Sequence, residues 1–264
     1  MLYFSKDEVI GRSLELYGEF SESENRTMLP FIKPGDMVLD VGANVGTVTL
    51  PFAHRVGPQG RVYAFEPQRI VFQHLCANIA LNGLFNVDAR CAAVGAATGV
   101  VHILDVSPDR IKNAGAARIS HETGDAAVPL IKLDDLDLPR CSLIKIDVEG
   151  MEAQVLAGAD NLVERHQPIV YFEAKPGDNT RACLVWLIAR SYSLYWHFSA
   201  FFEPHNFRKH TENVFGSIGD VNVLALPRDC DLKVILPKVS GPDADWKAEL
   251  RAWFHVQPRA ASKP

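Results

Sequence analysis

Closely spaced cysteines, a basic excess and long apolar runs are all missing from this chain, and each absence removes a class of function. The five cysteines, Cys76, Cys91, Cys141, Cys183 and Cys230, are odd in number, scattered, and never form a C-x-x-C pair. Such spacing supports neither a disulfide framework nor a zinc site, and reduced thiols are the plain reading. Lys and Arg number 27 against 32 Asp and Glu, a formal charge of −5, and no basic run is interleaved with aromatics. A nucleic-acid backbone attracts the opposite field, so nucleic acid is not an expected partner. No apolar stretch approaches the ~20 residues of a membrane span, and Met1 to Glu8 carries acids where a signal peptide would be basic and then apolar. A cytoplasmic protein without a membrane partner is the expectation.

The dinucleotide fingerprint G-x-G-x-x-G is missing as well. In its place stands Gly42-Ala43-Asn44-Val45-Gly46, with Asn44 where a glycine would admit a pyrophosphate and with no Arg or Lys in the turn. The turn nevertheless has the outline of a nucleoside cradle. Val38-Leu39 ends a buried strand at Asp40, Gly42 and Gly46 allow a tight turn, and a helix from about Thr47 aims free N–H groups at it. A second strand, Val62 to Phe65, delivers Glu66 to the same sheet edge, followed by Pro67. A carboxylate there accepts hydrogen bonds from both ribose hydroxyls. A turn without countercharge suits a cationic, phosphate-free nucleoside, and S-adenosylmethionine is such a molecule: its ammonium group can pair with Asp40 and its ribose with Glu66. Glycine turns of this kind also occur without ligands, and the paired Glu66 is what favours the cofactor.

The 264 residues, 47% of them apolar, suffice for one large domain with appendages. Apolar runs alternating with helical patterns predict an α/β fold. The expected division is an N-terminal helical segment over 1–32, the α/β domain over 33–230, and a C-terminal extension over 231–264. That extension holds one helix, with the stripe Trp246, Leu250, Trp253 and Phe254 packed on the body, and a disordered tail. Predicted strands run over 62–65, 87–94, 142–147, 168–172, 192–198 and 221–226, after the first one ending at Asp40. A strand pair over 100–105 and 127–133 encloses a polar loop, 107–125, that should be mobile. One long helix is expected over 151–165.

In open α/β sheets ligands bind at the carboxyl ends of the strands, so Asp40, Glu66, Asp147 and Glu173 should converge on one crevice. Period-two alternation places Lys145 and Asp147 on one face. Bland readings stand beside these: Lys145 with Asp147 as a structural pair, Glu149 as a favourable charge at the next helix start, and Glu173 as a solvated neighbour of Lys175. Methyl transfer to a hydroxyl needs a proton acceptor, and His197 and His205 are candidates. The polar connection 199–219 carries Phe201, Phe202, His205, Asn206 and Phe207, which can stack on a sugar face and hydrogen-bond its hydroxyls. His205, Asn206 and Glu173 are therefore the expected acceptor-binding residues.

Val38 to Gly46, Ala64-Phe65-Glu66-Pro67 and Leu143-Ile144-Lys145-Ile146-Asp147-Val148-Glu149-Gly150-Met151-Glu152, in this order and spacing, resemble the FkbM-type family of S-adenosylmethionine-dependent methyltransferases. The likeness extends from about Tyr17 to Pro227, including Leu133-Asp134-Asp135-Leu136 and Asn222 to Pro227. It implies a class I methyltransferase (Rossmann-like) fold: three α/β/α layers around a seven-stranded, mostly parallel sheet whose last strand is antiparallel. It implies O-methylation of a sugar or secondary metabolite, with Asp40, Gly42, Ala43, Asn44 and Gly46 lining the methionine end, Glu66 and Pro67 the ribose, and Asp147 the region beside the methyl group.

The expected chemistry is in-line displacement, with Asp147 or a late-loop histidine taking the proton and Lys145 beside it. Whether a divalent metal takes part stays open; if one does, Asp147 and Glu173 would hold it. The expected partner is a small-molecule acceptor, and self-association as a homodimer stays open. A nicotinamide-dependent reductase and a non-catalytic cofactor-binding regulator are the alternatives. The first is disfavoured by Asn44 and by Tyr171 and Lys175, which straddle a strand end instead of sharing a helix.

Overall fold

The computed structural model describes residues 1–103, 119–120, 126–230 and 232–256. Two short helices, α1 (Ile10–Tyr17) and α2 (Glu22–Met28), precede a first series of elements: β1 (Met37–Val41), α3 (Thr49–Val56), β2 (Arg61–Phe65), α4 (Arg69–Leu81) and β3 (Val87–Arg90). A side sheet follows, built from β4 (Ala93–Val94), β5 (Gly99–Ile103), β6 (Ile119–Ser120) and β7 (Ala126–Ile131). The chain then returns through β8 (Leu143–Ile146), α5 (Glu152–Ala157), α6 (Asp160–His166), β9 (Ile169–Glu173), α7 (Asp178–Ala189), β10 (Ser193–Ala200), β11 (Gly219–Leu226) and α8 (Trp246–Val256).

The main sheet has seven strands in the order β10-β11-β9-β8-β1-β2-β3. All neighbouring pairs are parallel except those of β11, which runs antiparallel to both β9 and β10. This is the mostly parallel sheet, last strand reversed, that the family resemblance implies. Its central strands are buried along their length, as crossover helices on both faces require. Val38-Leu39, Leu143-Ile144 and Val170-Phe172 are apolar for that reason.

Two predicted elements are broken in the structure. The single strand expected over 87–94 is two pieces: β3 pairs with β2, whereas Ala93 and Val94 leave to pair with Leu130 and Ile131 of β7 in the side sheet. The helix expected over 151–165 is interrupted between α5 and α6. Gly158 lies against the backbone of Gly95, where an added Cβ would stand 2.0 Å from the carbonyl oxygen. Its own carbonyl accepts from Asp134 N at 2.9 Å, outside the helix. The Asp134 carboxylate then accepts from the N–H groups of Asn161 and Leu162 at 3.2 and 2.8 Å and caps the restart.

The predicted 107–125 loop lies almost wholly outside the described residues, as does the tail after Val256; the strand pair that brackets the loop is present as β5 and β7, antiparallel. In α8 Leu250 is buried and Trp246 packs on the core, but Phe254 is exposed. Trp196 Nε1 donates to Glu249 Oε2 at 2.6 Å and ties that helix to β10. Among the described residues no helix is long and apolar enough to cross a membrane.

Candidate functional site

The turn after β1 is stitched to the end of β2. Gly42 N and Ala43 N both donate to Phe65 O at 2.9 Å, and Gly46 N donates to Ala43 O at 2.9 Å. Gly42 has φ +81°, and a Cβ there would stand 1.8 Å from Asp147 O, so no other residue fits between the two strand ends. Asn44 is also left-handed, at φ 48°, a conformation that its short polar side chain tolerates. Its Oδ1 accepts from Val45 N at 2.7 Å, and its own N–H donates to Glu66 Oε2 at 3.0 Å.

Glu66 Oε1 accepts from Gln68 N at 2.9 Å, so each carboxylate oxygen holds one backbone donor and keeps a lone pair for a ligand hydroxyl. The residue is 4% exposed, and burial pushes its carboxyl up to about 7, the two backbone donors opposing. Glu66 stands where two hollows meet. One is largely apolar, lined by Phe65, Pro67, Ala92, Val94 and Val148. The other is a polar cleft over the strand ends, reached by Ser21, Glu24, Asn44, Lys145, Asp147, Glu173, Asp220 and Phe201 among others.

Of the predicted site residues, Asp40 departs most. It does not line the cleft: its carboxylate is fully buried, accepts from Thr49 Oγ1 at 2.6 Å and lies 3.4 Å from Lys145 Nζ. A direct ion pair between Asp40 and a ligand ammonium is thereby corrected. Lys145 also donates to Gly42 O at 2.8 Å and lies 3.5 Å from Asp147 Oδ2. Burial alone would lower Lys145, but Asp40, Asp147 and Glu24 outweigh it and hold the ammonium above its ordinary value. Lys145 is therefore a fixed cation that braces the turn, not a proton acceptor.

Asp147 is the half-exposed acid of the strand ends, its N–H bonded to Val41 O at 2.9 Å. The loop behind it is held by Glu152, whose Oε1 accepts from Val148 N and Gly150 N at 3.3 and 3.1 Å while Asn179 bonds its other oxygen. The second acid of Glu149-Gly150-Met151-Glu152 is thus a buried loop clamp, and the first points into the cleft. Asp147, Glu149 and Glu173 each bring a carboxylate oxygen within 4.8 Å of the others. Lys175 pairs with Glu149 and lies 3.0 Å from Glu173 Oε2, the position a bound cation would share. Burial, then Asp147, pushes the Glu173 carboxyl up to about 9, with Lys175 opposing.

The late loop is corrected too. Asn206 is buried with its amide spent inside the loop: Nδ2 donates to Glu203 O and His210 O, both at 2.8 Å, and Oδ1 accepts from His210 N at 2.9 Å. His205 is exposed and does not line the cleft. Phe202 packs on Tyr17, and only Phe201 reaches the hollow. His197 is buried beneath α2, 2.7 Å from Tyr171 Oη and 3.2 Å from Thr27 Oγ1, and burial pushes it down to about 4. None of these side chains is placed to take a proton from an acceptor.

Two cleft acids were not foreseen. Asp220 is the second residue of β11, and an antiparallel strand presents its first residues at the edge where parallel strands end. The reversed last strand was therefore a usable signal. Burial, then Asp147, pushes Asp220 up to about 7. Glu24 comes from α2, ahead of the sheet, where no periodicity points to a site.

Residues 40–209, more than half of the chain, match the family model described as Methyltransferase FkbM domain. The chain belongs to the FkbM methyltransferase family. It is similar to 31-O-demethyl-FK506 methyltransferase FkbM of Streptomyces tacrolimicus, 31% identical over 163 residues that cover 49% of this chain and 62% of that protein. It is similar also to hexuronic acid methyltransferase AglP of Haloferax volcanii, 29% identical over 161 residues, 60% of this chain and 63% of the relative. This FkbM-family chain thus spans less than two thirds of the length of these curated relatives. Among solved structures, precorrin 8w decarboxylase of Methanobacterium thermoautotrophicum shares its fold, with a TM-score of 0.52 at 13% identity, covering 86% of this chain and 99% of that one.

Proposed function

We propose that this chain transfers a methyl group from S-adenosylmethionine to a hydroxyl of a small molecule, a sugar or secondary metabolite. The observation that carries the reading is the Asn44–Glu66 bond: a backbone N–H that a pyrophosphate would need is spent on a carboxylate whose remaining lone pairs suit a ribose. The same bond weighs against a nicotinamide cofactor. So does Tyr171, buried against His197 and separated from Lys175, which pairs with acids. The acceptor class leans on the relatives, named for 31-O-demethyl-FK506 and a hexuronic acid.

In the reaction the acceptor oxygen attacks the sulfonium methyl carbon, the S–CH₃ bond breaks, and S-adenosylhomocysteine leaves. The hydroxyl proton passes to Asp147, the exposed acid at the central strand end. Alignment supplies most of the acceleration, on the order of 7–11 kcal/mol for a well-positioned pair. Acids outnumber Lys145 and Lys175 in the cleft lining, and a bound sulfonium would draw the raised carboxyls of Glu24, Glu173 and Asp220 toward their charged forms. Transfer removes that charge and weakens the attraction for the product.

Lys175 already supplies a cation between Glu149 and Glu173, so we expect full activity in excess EDTA; activity restored only by Mg²⁺ would assign the three acids to a metal. Glu66→Ala should weaken S-adenosylmethionine binding by roughly 1.5–3 kcal/mol, since it removes charge-assisted bonds to two hydroxyls. In the unsubstituted chain the affinity should fall as pH drops through about 7, where Glu66 takes up a proton and loses an acceptor site. Calorimetry at several pH values checks both, and an affinity indifferent to Glu66 would remove the ribose assignment. The function itself is tested by offering methyl-labelled S-adenosylmethionine with a library of hydroxylated sugars and metabolites. Label should appear as an ether on a hydroxyl. Tight cofactor binding without transfer to any acceptor would leave a ligand-binding regulator.

A further inference from the structure

With Asp40 sealed behind the turn, the ammonium of the donor's amino-acid end needs a different partner. Two groups on the N-terminal side of the cleft stand ready. Ser21 is 5% exposed and adopts a left-handed backbone, φ 46°; its buried Oγ has no hydrogen-bond partner among the described residues, although it lines the cleft. Glu24 is 7% exposed and lines the same cleft, and among the described residues its carboxylate has one weak hydrogen bond, from Asn222 Nδ2 at 3.4 Å. An acid so buried and so thinly partnered is costly unless a cation arrives.

The helix that carries Glu24 is fixed in place. Ser23 Oγ lies 2.6 Å from Ser199 Oγ, and Thr27 Oγ1 lies 3.2 Å from His197 Nε2, so α2 is seated on β10. Asn25 Nδ2 donates to Thr47 O at 3.2 Å and holds α2 against the chain leaving the glycine turn. Ser21 and Glu24 therefore face the end of the cleft that Ala43, Asn44 and Thr47 also line, continuous with the ribose position at Glu66.

We infer that Ser21 and Glu24 hold the zwitterionic amino-acid end of the methyl donor, Glu24 accepting from its ammonium and Ser21 donating to its carboxylate. The inference rests on the S-adenosylmethionine reading and refines it. Glu24 takes the role expected of Asp40, and the N-terminal helix becomes part of the cofactor site.

Around Glu24 stand Asp147 and Lys145 from the β8 end, Tyr171 on β9, and Asp220 and Asn222 on β11. Burial, then Asp147 and Asp220, pushes its carboxyl up to about 8, with Lys145 and Asn222 opposing. A protonated Glu24 cannot pair with an ammonium, so the amino-acid end should add more to binding as pH rises toward that value.

The test compares S-adenosylhomocysteine with 5′-methylthioadenosine, which keeps the nucleoside and lacks the amino-acid end. Calorimetric titrations of the full chain should show Glu24→Gln weakening S-adenosylhomocysteine about tenfold or more while leaving 5′-methylthioadenosine unchanged. Ser21→Ala should produce a smaller loss with the same selectivity. The preference for S-adenosylhomocysteine over 5′-methylthioadenosine should grow from pH 6 toward about 8 in the unsubstituted chain and stay flat in Glu24→Gln. An unchanged S-adenosylhomocysteine affinity in Glu24→Gln would overturn the inference. Equal weakening of both ligands would also overturn it, by making Glu24 a support of the cleft. Failure of both ligands to bind the unsubstituted chain would instead remove the cofactor reading itself.

Discussion

Lys145→Met should cost the fold roughly 3–5 kcal/mol, because it leaves the fully buried Asp40 without its counterion. Among the described residues Asp40 Oδ1 has no hydrogen bond besides that ion pair, and Thr49 serves only the other oxygen. The substitution also removes the donor to Gly42 O, so the glycine turn loses the brace that joins it to β8. Methionine preserves most of the volume and isolates the charge effect. Urea denaturation should show a lowered midpoint with an unchanged slope. In Lys145→Met with Asp40→Asn the loss should shrink, since no buried charge is then stranded. A cost below about 1 kcal/mol for the single change would mean that solvent reaches Asp40 and that the pair is not a brace.

Asp147→Asn should lower turnover by 10²-fold or more and leave cofactor affinity nearly unchanged, as expected when a group acts on the transferring atoms. The Asp147 side chain is 43% exposed, and its one ion pair among the described residues is with Lys145 at 3.5 Å. Its anchoring bond, N–H to Val41 O, belongs to the backbone and survives the change. Folding should therefore be intact, which circular dichroism of the variant would check. Equal losses in affinity and turnover would return Asp147 to a supporting role and pass the proton to Glu173 or Asp220.

The sheet was legible because buried parallel strands must be apolar throughout, and each such run here ends in an acid or a turn. Glu66 and Asp147 were legible for the same reason, as polar residues at the ends of apolar runs. Asp40 was legible in place but not in partner. The strand register sets it beside Lys145 on the neighbouring strand, and register is not written in either segment alone. His205 and Asn206 misled because a polar loop has no periodicity, and an asparagine that closes its own loop looks in sequence like one that binds a sugar. Glu24 was hidden by distance, since α2 reaches the cleft only through its contacts with β10 and the glycine turn. The breaks at Cys91-Ala92 and Gly158 depend on the side sheet and on a close backbone approach, both long-range.

Calorimetric titration of the chain with S-adenosylhomocysteine and, separately, with NAD tests the central claim most directly. A single S-adenosylhomocysteine site that weakens in Glu66→Ala, with no heat from NAD, is the predicted result. Saturable NAD binding with no response to S-adenosylhomocysteine would contradict it.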